Sequence, residues 1–285
     1  MTRRTPARSA REFENRSRDE PTVLPSILRG RRAALIIAHP GHELRIYQWL
    51  KLAQPTVFVL TDGSGRSGRS RLHRTSTILR EAGATPGPLY GRVSDGELYA
   101  AILRQDAGWF IALAIELAGA LDRAEIEYIV GDAIEGYNPA HDLCRYVTNT
   151  AAMLLARDGR ILGNYDILLA GRNQTNGDRH LCIELDGAAA EEKLRIARAY
   201  TELQAEVDRI LAAEGAASQS IEQLRPVDPG VAPLMGPPYY EQYGRQQIAR
   251  GHYHQLITYC QHIRPIAEAL QAFAEKGTAA TCGSS

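Results

Sequence analysis

The sequence predicts an α/β fold: a Rossmann-like, mostly parallel sheet flanked by helices, with a C-terminal helical extension. Three observations predict it. Short, largely apolar runs recur at Ala33–Ile37, Thr56–Leu60 and Glu125–Val130, as in buried parallel strands. Segments of helical period lie between them, which parallel strands need as crossovers. Each run also ends in a polar or glycine-bearing cluster: His39-Pro40-Gly41, Thr61-Asp62-Gly63 and Gly131-Asp132. In open α/β sheets the ligand crevice lies at that carboxyl edge.

Taken in order, residues 1–24 alternate Arg with Glu, Asp, Ser and Pro and lack apolar periodicity, so a disordered arm is expected there. Order is expected from about Arg32, with one α/β domain over 32–225. Its predicted helices are Glu43–Lys51, Arg71–Ala82, Gly108–Leu121 and His141–Arg157. The Gly/Pro-rich stretch Ala82–Gly91 reads as strand-free. Asp166–Ala170 and His180–Asp186 read as late strands, suited to antiparallel pairing. Ala188–Glu214 carries Leu194, Ala197, Tyr200, Leu203, Val207 and Ile210 at helical spacing and reads as one long helix. Residues 226–276 form a Pro-rich crossing segment followed by helices at about Tyr239–Arg250 and Gln261–Lys276. Residues 277–285 form a small polar tail.

Composition narrows the function classes. The 285 residues are 44% hydrophobic and 23% charged, with 33 basic and 33 acidic residues, ordinary values for a globular protein. Zero net charge argues against a nucleic-acid partner or an anionic membrane surface. The longest apolar runs fall well short of the roughly 20 residues of a membrane span. Cys144, Cys182, Cys260 and Cys282 are scattered, which suits neither a disulfide framework nor a thiolate zinc site. The Arg-rich N-terminus has no apolar core of a secretory signal, so a cytoplasmic location is expected.

The strongest local signal is Ala38-His39-Pro40-Gly41-His42-Glu43 directly after a buried strand. Pro40 sets one backbone angle and Gly41 permits a sharp turn, so His39 and His42 can face one point. Imidazoles bind zinc well, and catalytic zinc sites use three protein ligands with an open position. A second element is Glu135-Gly136-Tyr137-Asn138-Pro139-Ala140-His141-Asp142, after the third strand. His141 there opens a helix, whose positive end favours neutral imidazole.

Strand–AHPxxE, a strand ending in TDG, an Arg-bearing helix, then a strand and PxH opening a helix together resemble the LmbE-like, or PIG-L, deacetylases. The resemblance covers about Ala33–Arg157. It implies a Rossmann-like fold, one zinc ion, and removal of N-acetyl groups from amino-sugar-like or related small amides. It implies metal ligation by His39, His42 and His141, with His42 standing where the family carries Asp. The family's proton-handling Asp falls on Gly41, and the His supporting its oxyanion falls on Asn138. Asn138 can donate a hydrogen bond but cannot exchange protons. Glu43, Asp62, Asp132, Glu135 and Asp142 are then the carboxylates to take over, Asp62 and Glu43 first. Arg71 matches the family's substrate-gripping Arg, and Arg74 stands beside it; an Arg-rich mouth suits phosphate or carboxylate groups.

Two other features are weaker. Gly63-Ser64-Gly65-Arg66-Ser67-Gly68 spells GxGxxG, but no helix follows at once and no acidic residue ends a second strand about 20 positions on, as a dinucleotide site requires. It reads as a site loop. His252, His254 and His262 lie near Tyr239, Tyr240 and Tyr243, as packing and surface residues, a second site or a lid, and the Pro237–Tyr243 stretch suits a contact between copies in a homo-oligomer.

The expected activity is therefore metal-dependent hydrolysis of a small N-acyl substrate, with Zn2+ or another divalent transition metal as cofactor. Two alternatives stay open: a non-hydrolytic metalloprotein or ligand-binding protein on the same fold, and a different metal chemistry at a three-histidine site.

Overall fold

The computed structural model describes residues 21–170, 180–215, 219–228, 234 and 236–276. Residues 1–20 of the predicted arm, the whole predicted tail and parts of the Pro-rich segment lie outside the described residues.

Among the described residues, seven strands form one sheet in the order β3-β2-β1-β4-β5-β7-β6: β1 Ala33–Ile37, β2 Thr56–Thr61, β3 Thr85–Val93, β4 Tyr128–Asp132, β5 Gly163–Ile167, β6 Leu181–Glu184 and β7 Ile221–Pro226. Strands β3, β2, β1, β4 and β5 are parallel neighbours, while β7 runs antiparallel to both β5 and β6. The α-helices among the described residues are α1 Tyr47–Ala53, α2 Leu72–Ala82, α3 Asp95–Leu103, α4 Ala107–Arg123, α5 Pro139–Arg157, α6 Gly187–Ala199, α7 Gln204–Glu214, α8 Tyr239–Ala249 and α9 Arg264–Lys276. None of the described helices is long and apolar enough to cross a membrane.

The period-two alternation of β1 explains how the sheet is covered. Ala34, Ile36 and Ala38 point into a core shared with Phe110, Leu117, Leu143, Val147 and Leu270 of α4, α5 and α9. Ala33, Leu35 and Ile37 enter a second core with Trp49, Leu50, Ile78, Leu79 and Ile196 of α1, α2 and α6. All five residues of β1 are buried, which is why its sequence is unbroken apolar.

The structure corrects several expectations. Ala82–Gly91 contains most of β3 despite Pro86, Gly87 and Pro88; it is an edge strand, and its pairing with β2 has register shifts, where proline is tolerated. The third strand starts three residues later than predicted, because Glu125 takes a left-handed turn at φ 49°. The strand β7 lies where no element was predicted. The long helix is broken: α6 ends before Tyr200, and a 3-10 turn, Thr201–Leu203, precedes α7. Tyr200 is almost wholly buried, and the chain bends to bury it. Thr22 and Leu24, at the end of the predicted arm, are held in place. The Thr22 amide and hydroxyl donate to Asp186 Oδ2 at 3.1 and 3.0 Å, and Leu24 is buried.

A buried ion pair ties the later elements to the segment after β1. Glu222 on β7 accepts from the amides of Gln48 and Trp49 at the start of α1, at 3.0 and 2.7 Å. Lys193 on α6 stands 3.0 Å from the same carboxylate and donates to the Arg45 carbonyl at 2.7 Å. Helix N-terminal amides and a cation thus share one carboxylate, which makes its burial tolerable.

Candidate functional site

The sheet reverses its order of strand connection between β1 and β4, the switch point at which α/β sheets open a crevice. Four strand ends deliver residues to it. His39 and His42 follow β1, Thr61 ends β2, Asp95 opens α3 after β3, and Asp132 ends β4 with His141 in the first turn of α5.

The three histidines predicted from the sequence meet there. Ring centroids are 5.5 Å apart for His39 and His42, 5.2 Å for His39 and His141, and 4.5 Å for His42 and His141, all in edge-on contact. Three imidazoles around one tetrahedral ion, with Zn–N near 2.0–2.1 Å, would place their centroids roughly 5 Å apart. The spacing agrees, but the donor atoms are not turned into a finished set. Among the described residues, no group of three or more His, Cys, Asp or Glu is arranged to hold a metal ion as it stands.

Two rings have carboxylate partners behind them. His39 Nδ1 lies 2.8 Å from Thr61 Oγ1 and 3.0 Å from Asp95 Oδ1. His42 Nδ1 lies 2.9 and 3.0 Å from the two oxygens of Asp132. A carboxylate only accepts, so in each pair the proton sits on Nδ1 and the Nε2 lone pair faces away. Asp132 also accepts from the Ala38 amide at 2.7 Å. Asp95 accepts from the Thr61 hydroxyl at 2.5 Å and the Gly65 amide at 2.6 Å. Burial alone would raise the Asp95 carboxyl, but His39, the hydroxyl and the amide together hold it below the usual carboxylate range.

The third ring differs. His141 Nδ1 is buried without a hydrogen-bond partner. Burial, then the neighbouring His42 and His39 and the Arg71 charge, press its pKa well below the ordinary value. The ring is held neutral, the form in which imidazole binds metals. An orphaned buried nitrogen beside two oriented rings, with an imidazole-only donor set, fits a borderline transition metal.

The remaining predicted residues divide. Asn138 is the N-cap of α5; its Oδ1 accepts from the Ala140 amide at 2.8 Å and from Tyr99 Oη at 3.0 Å. That leaves the side-chain amide N–H groups as the part able to meet a ligand. Arg71 lies at the site, with Nε donating to the Gly63 carbonyl at 2.7 Å. Gly63 has φ 67°, and a Cβ there would stand 2.8 Å from Arg71 Nε, so the glycine makes room for the guanidinium.

Glu43 does not stand free as the predicted proton acceptor. It is fully buried, accepting from the Gly41 amide and the Thr75 hydroxyl, both at 2.7 Å. Burial raises its pKa, and the carboxylate holds the turn between His39 and His42. Asp62 shapes its own loop, with Oδ1 accepting from the Ser64 amide at 2.9 Å. Asp142 accepts from the Glu135 and Gly136 amides at 3.0 and 3.2 Å; burial pushes its carboxyl up to about 7. Glu135 accepts from the Leu169 amide at 2.7 Å. Arg74 is paired within the chain: its Nε stands 3.2 Å from both Glu202 oxygens and its Nη2 donates to Thr201 Oγ1 at 3.0 Å.

The GxGxxG stretch is a site loop, tied to the centre through Gly65 and Asp95. Asp95 itself escaped the sequence reading. Its signal was Ser94-Asp95-Gly96-Glu97, a capping box that opens α3, recognisable from Ser and Glu three apart. The C-terminal histidines stay apart from the cluster, His252 bonding Gln247 and Arg66, and His262 accepting from the Thr258 amide. The C-terminal tyrosines do approach it. Tyr239 stacks on Tyr137 at 5.2 Å and 5°, and Tyr137 lies 6.4 Å from the His141 ring. A small polar cleft beside Arg45, Lys193 and Gln219 contains none of these groups.

No family model matches the chain, and no curated protein matches it. Among solved structures, it is similar to a deacetylase triple mutant involved in teicoplanin biosynthesis, at 14% identity and a TM-score of 0.49. That match covers 68% of this chain and 97% of the other. It is also similar to the conserved protein TT1542 from Thermus thermophilus, at 12% identity and a TM-score of 0.46, covering 72% and 99%.

Proposed function

We propose that the chain is a metal-dependent hydrolase of the PIG-L type that removes an N-acyl group, most simply N-acetyl, from an amino-sugar-like or other small amide. The observation that carries the reading is the meeting of His39, His42 and His141, two of them backed by carboxylates, at the sheet's switch point. These three residues would hold zinc or another divalent transition metal, which when bound supplies Lewis acidity toward an amide carbonyl and makes water more acidic.

The chain's own residues then have separable tasks. Asp95 and Asp132 fix the tautomer and direction of the His39 and His42 rings. Asn138 donates from its side-chain amide to the oxygen on which charge develops, an arrangement whose removal costs about 10²–10³-fold in kcat in comparable sites. Arg71 offers a guanidinium for a carboxylate or phosphate on the substrate.

One observation favours the second reading, a metalloprotein without hydrolytic activity. Glu43 accepts from the Gly41 amide and the Thr75 hydroxyl, and Asp62 and Glu135 accept from backbone amides, so each of these carboxylates is engaged in holding the surrounding chain. The two readings part in one experiment: elemental analysis of wild type and His141→Ala, followed by assay of N-acetylglucosamine hydrolysis. About one metal per chain, lost in the variant, with amine release that depends on it, supports the hydrolase. Bound metal without amine release from a panel of N-acyl amines supports the second reading. Absence of metal in both proteins after zinc is supplied sinks both.

A further inference from the structure

We propose that Leu203 closes the histidine cluster on its Gly41 side, and that position 41 is glycine because Leu203 stands where its side chain would be. Gly41 lies between His39 and His42 and has φ 111°, in the left-handed region that favours glycine. A Cβ built there overlaps Leu203 Cδ1 and comes within 3.6 Å of Leu203 Cγ and 3.8 Å of Tyr200 Cζ. The place is filled by a residue 162 positions away along the chain, delivered by the break between α6 and α7.

The wedge is held from both sides. Inside, the Tyr200 hydroxyl lies 3.4 Å from Thr75 Oγ1 and 3.4 Å from the Arg71 carbonyl. Thr75 donates to Glu43, which accepts from the Gly41 amide. The turn carrying the two histidines and the wedge facing it therefore share one hydrogen-bonded chain. Outside, Arg74 grips Glu202 and Thr201, and His73 Nε2 stands 3.5 Å from Glu202. An apolar side chain seated against the turn between the two histidines offers water no hydrogen-bond partner on that side. Leu203 is a positioning residue, acting through the Gly41 turn. The claim concerns packing and access, so it stands or falls apart from the hydrolase reading.

Two measurements test it, neither needing activity. The first is a thermal double-mutant cycle on the full chain with Gly41→Ala and Leu203→Ala. Gly41→Ala is expected to lower Tm by roughly 5–10 °C through forced positive φ and overlap. In the Leu203→Ala background the loss should fall to about half, the backbone strain remaining. Additive losses would overturn the proposal. The second is the rate at which diethyl pyrocarbonate modifies His39 and His42, read residue by residue by mass spectrometry, with His254 as internal reference. Leu203→Ala is expected to speed both reactions several-fold, while Leu203→Met, which refills the space, should leave them at the wild-type rate. Equal rates in wild type and Leu203→Ala would show that Leu203 does not close the site.

Discussion

His42 Nδ1 and the Asp132 carboxylate are paired at 2.9 and 3.0 Å across the gap between β1 and β4. The same carboxylate accepts the Ala38 amide at the end of β1. One side chain thus orients a ring and joins the two strands that flank the switch point. Asp132→Asn keeps an acceptor for the Ala38 amide but not the charge behind the ring. The variant is expected to fold and to bind zinc about 10–100-fold more weakly, as measured by competition with a chromophoric chelator. Unchanged affinity would remove Asp132 from the orienting role.

Arg74 was expected from the sequence to grip substrate, and the structure gives it to Glu202 and Thr201. Exposed pairs of this kind contribute about 0–1 kcal/mol. Arg74→Ala should lower stability by no more than that and leave KM unchanged. Arg71→Ala should raise KM for an anionic N-acyl substrate. A large rise in KM for Arg74→Ala would restore the sequence expectation.

Breaking the Lys193–Glu222 pair should be costly, because Glu222 is buried and also accepts two helix-start amides. Lys193→Ala leaves that carboxylate without its cation and is expected to cost about 3–5 kcal/mol in urea unfolding. A loss under about 1 kcal/mol would mean that the amides alone suffice.

Acid should loosen the junction of residues 21–24 with α6. The hydrogen bonds from the Ala189 and Thr22 amides hold the Asp186 carboxyl below its ordinary pKa. A folded-state pKa below the unfolded one gives stability that is full above the unfolded pKa, near 4, and fades as pH falls through the folded value. Tm should therefore fall less steeply below about pH 4 in Asp186→Asn than in wild type. Parallel curves would exclude a contribution from this group.

The stacked pair Tyr137–Tyr239 links the C-terminal helices to the histidine face. Tyr239 is 49% exposed, and stacking of this kind contributes about 0.5–1.5 kcal/mol. Tyr239→Ala is expected to raise KM with kcat nearly unchanged in steady-state assays of a cyclic N-acyl substrate. A fall in kcat alone would point to a positioning role instead.

The local chemistry was legible where one stretch of chain decides it. The largely apolar runs marked β1, β2 and most of β4, because strands buried on both faces carry mainly apolar side chains. Their carboxyl-end clusters pointed to His39, His42 and His141, because a parallel sheet presents those ends together. The helix α5 was legible too, though it starts at Pro139, two residues before the expected His141, because Asn138 caps it.

What escaped depends on partners distant in sequence. Asp95 joins the cluster only because β3, an edge strand through Pro86 and Pro88, delivers α3 beside β2. Glu43 and Arg74 carry the residue types of a site but are claimed by Thr75 and Glu202. Nothing local announces that Leu203 will fill the space beside Gly41, since the helical period runs unbroken through Tyr200. The sequence by itself determined the central strands, their carboxyl edge and the three imidazoles, since apolar patterning and turn chemistry act over a few residues. Which carboxylates remain free, and which side of the cluster is closed, was decided by tertiary packing, where burial and hydrogen-bond satisfaction are settled between segments far apart in the chain.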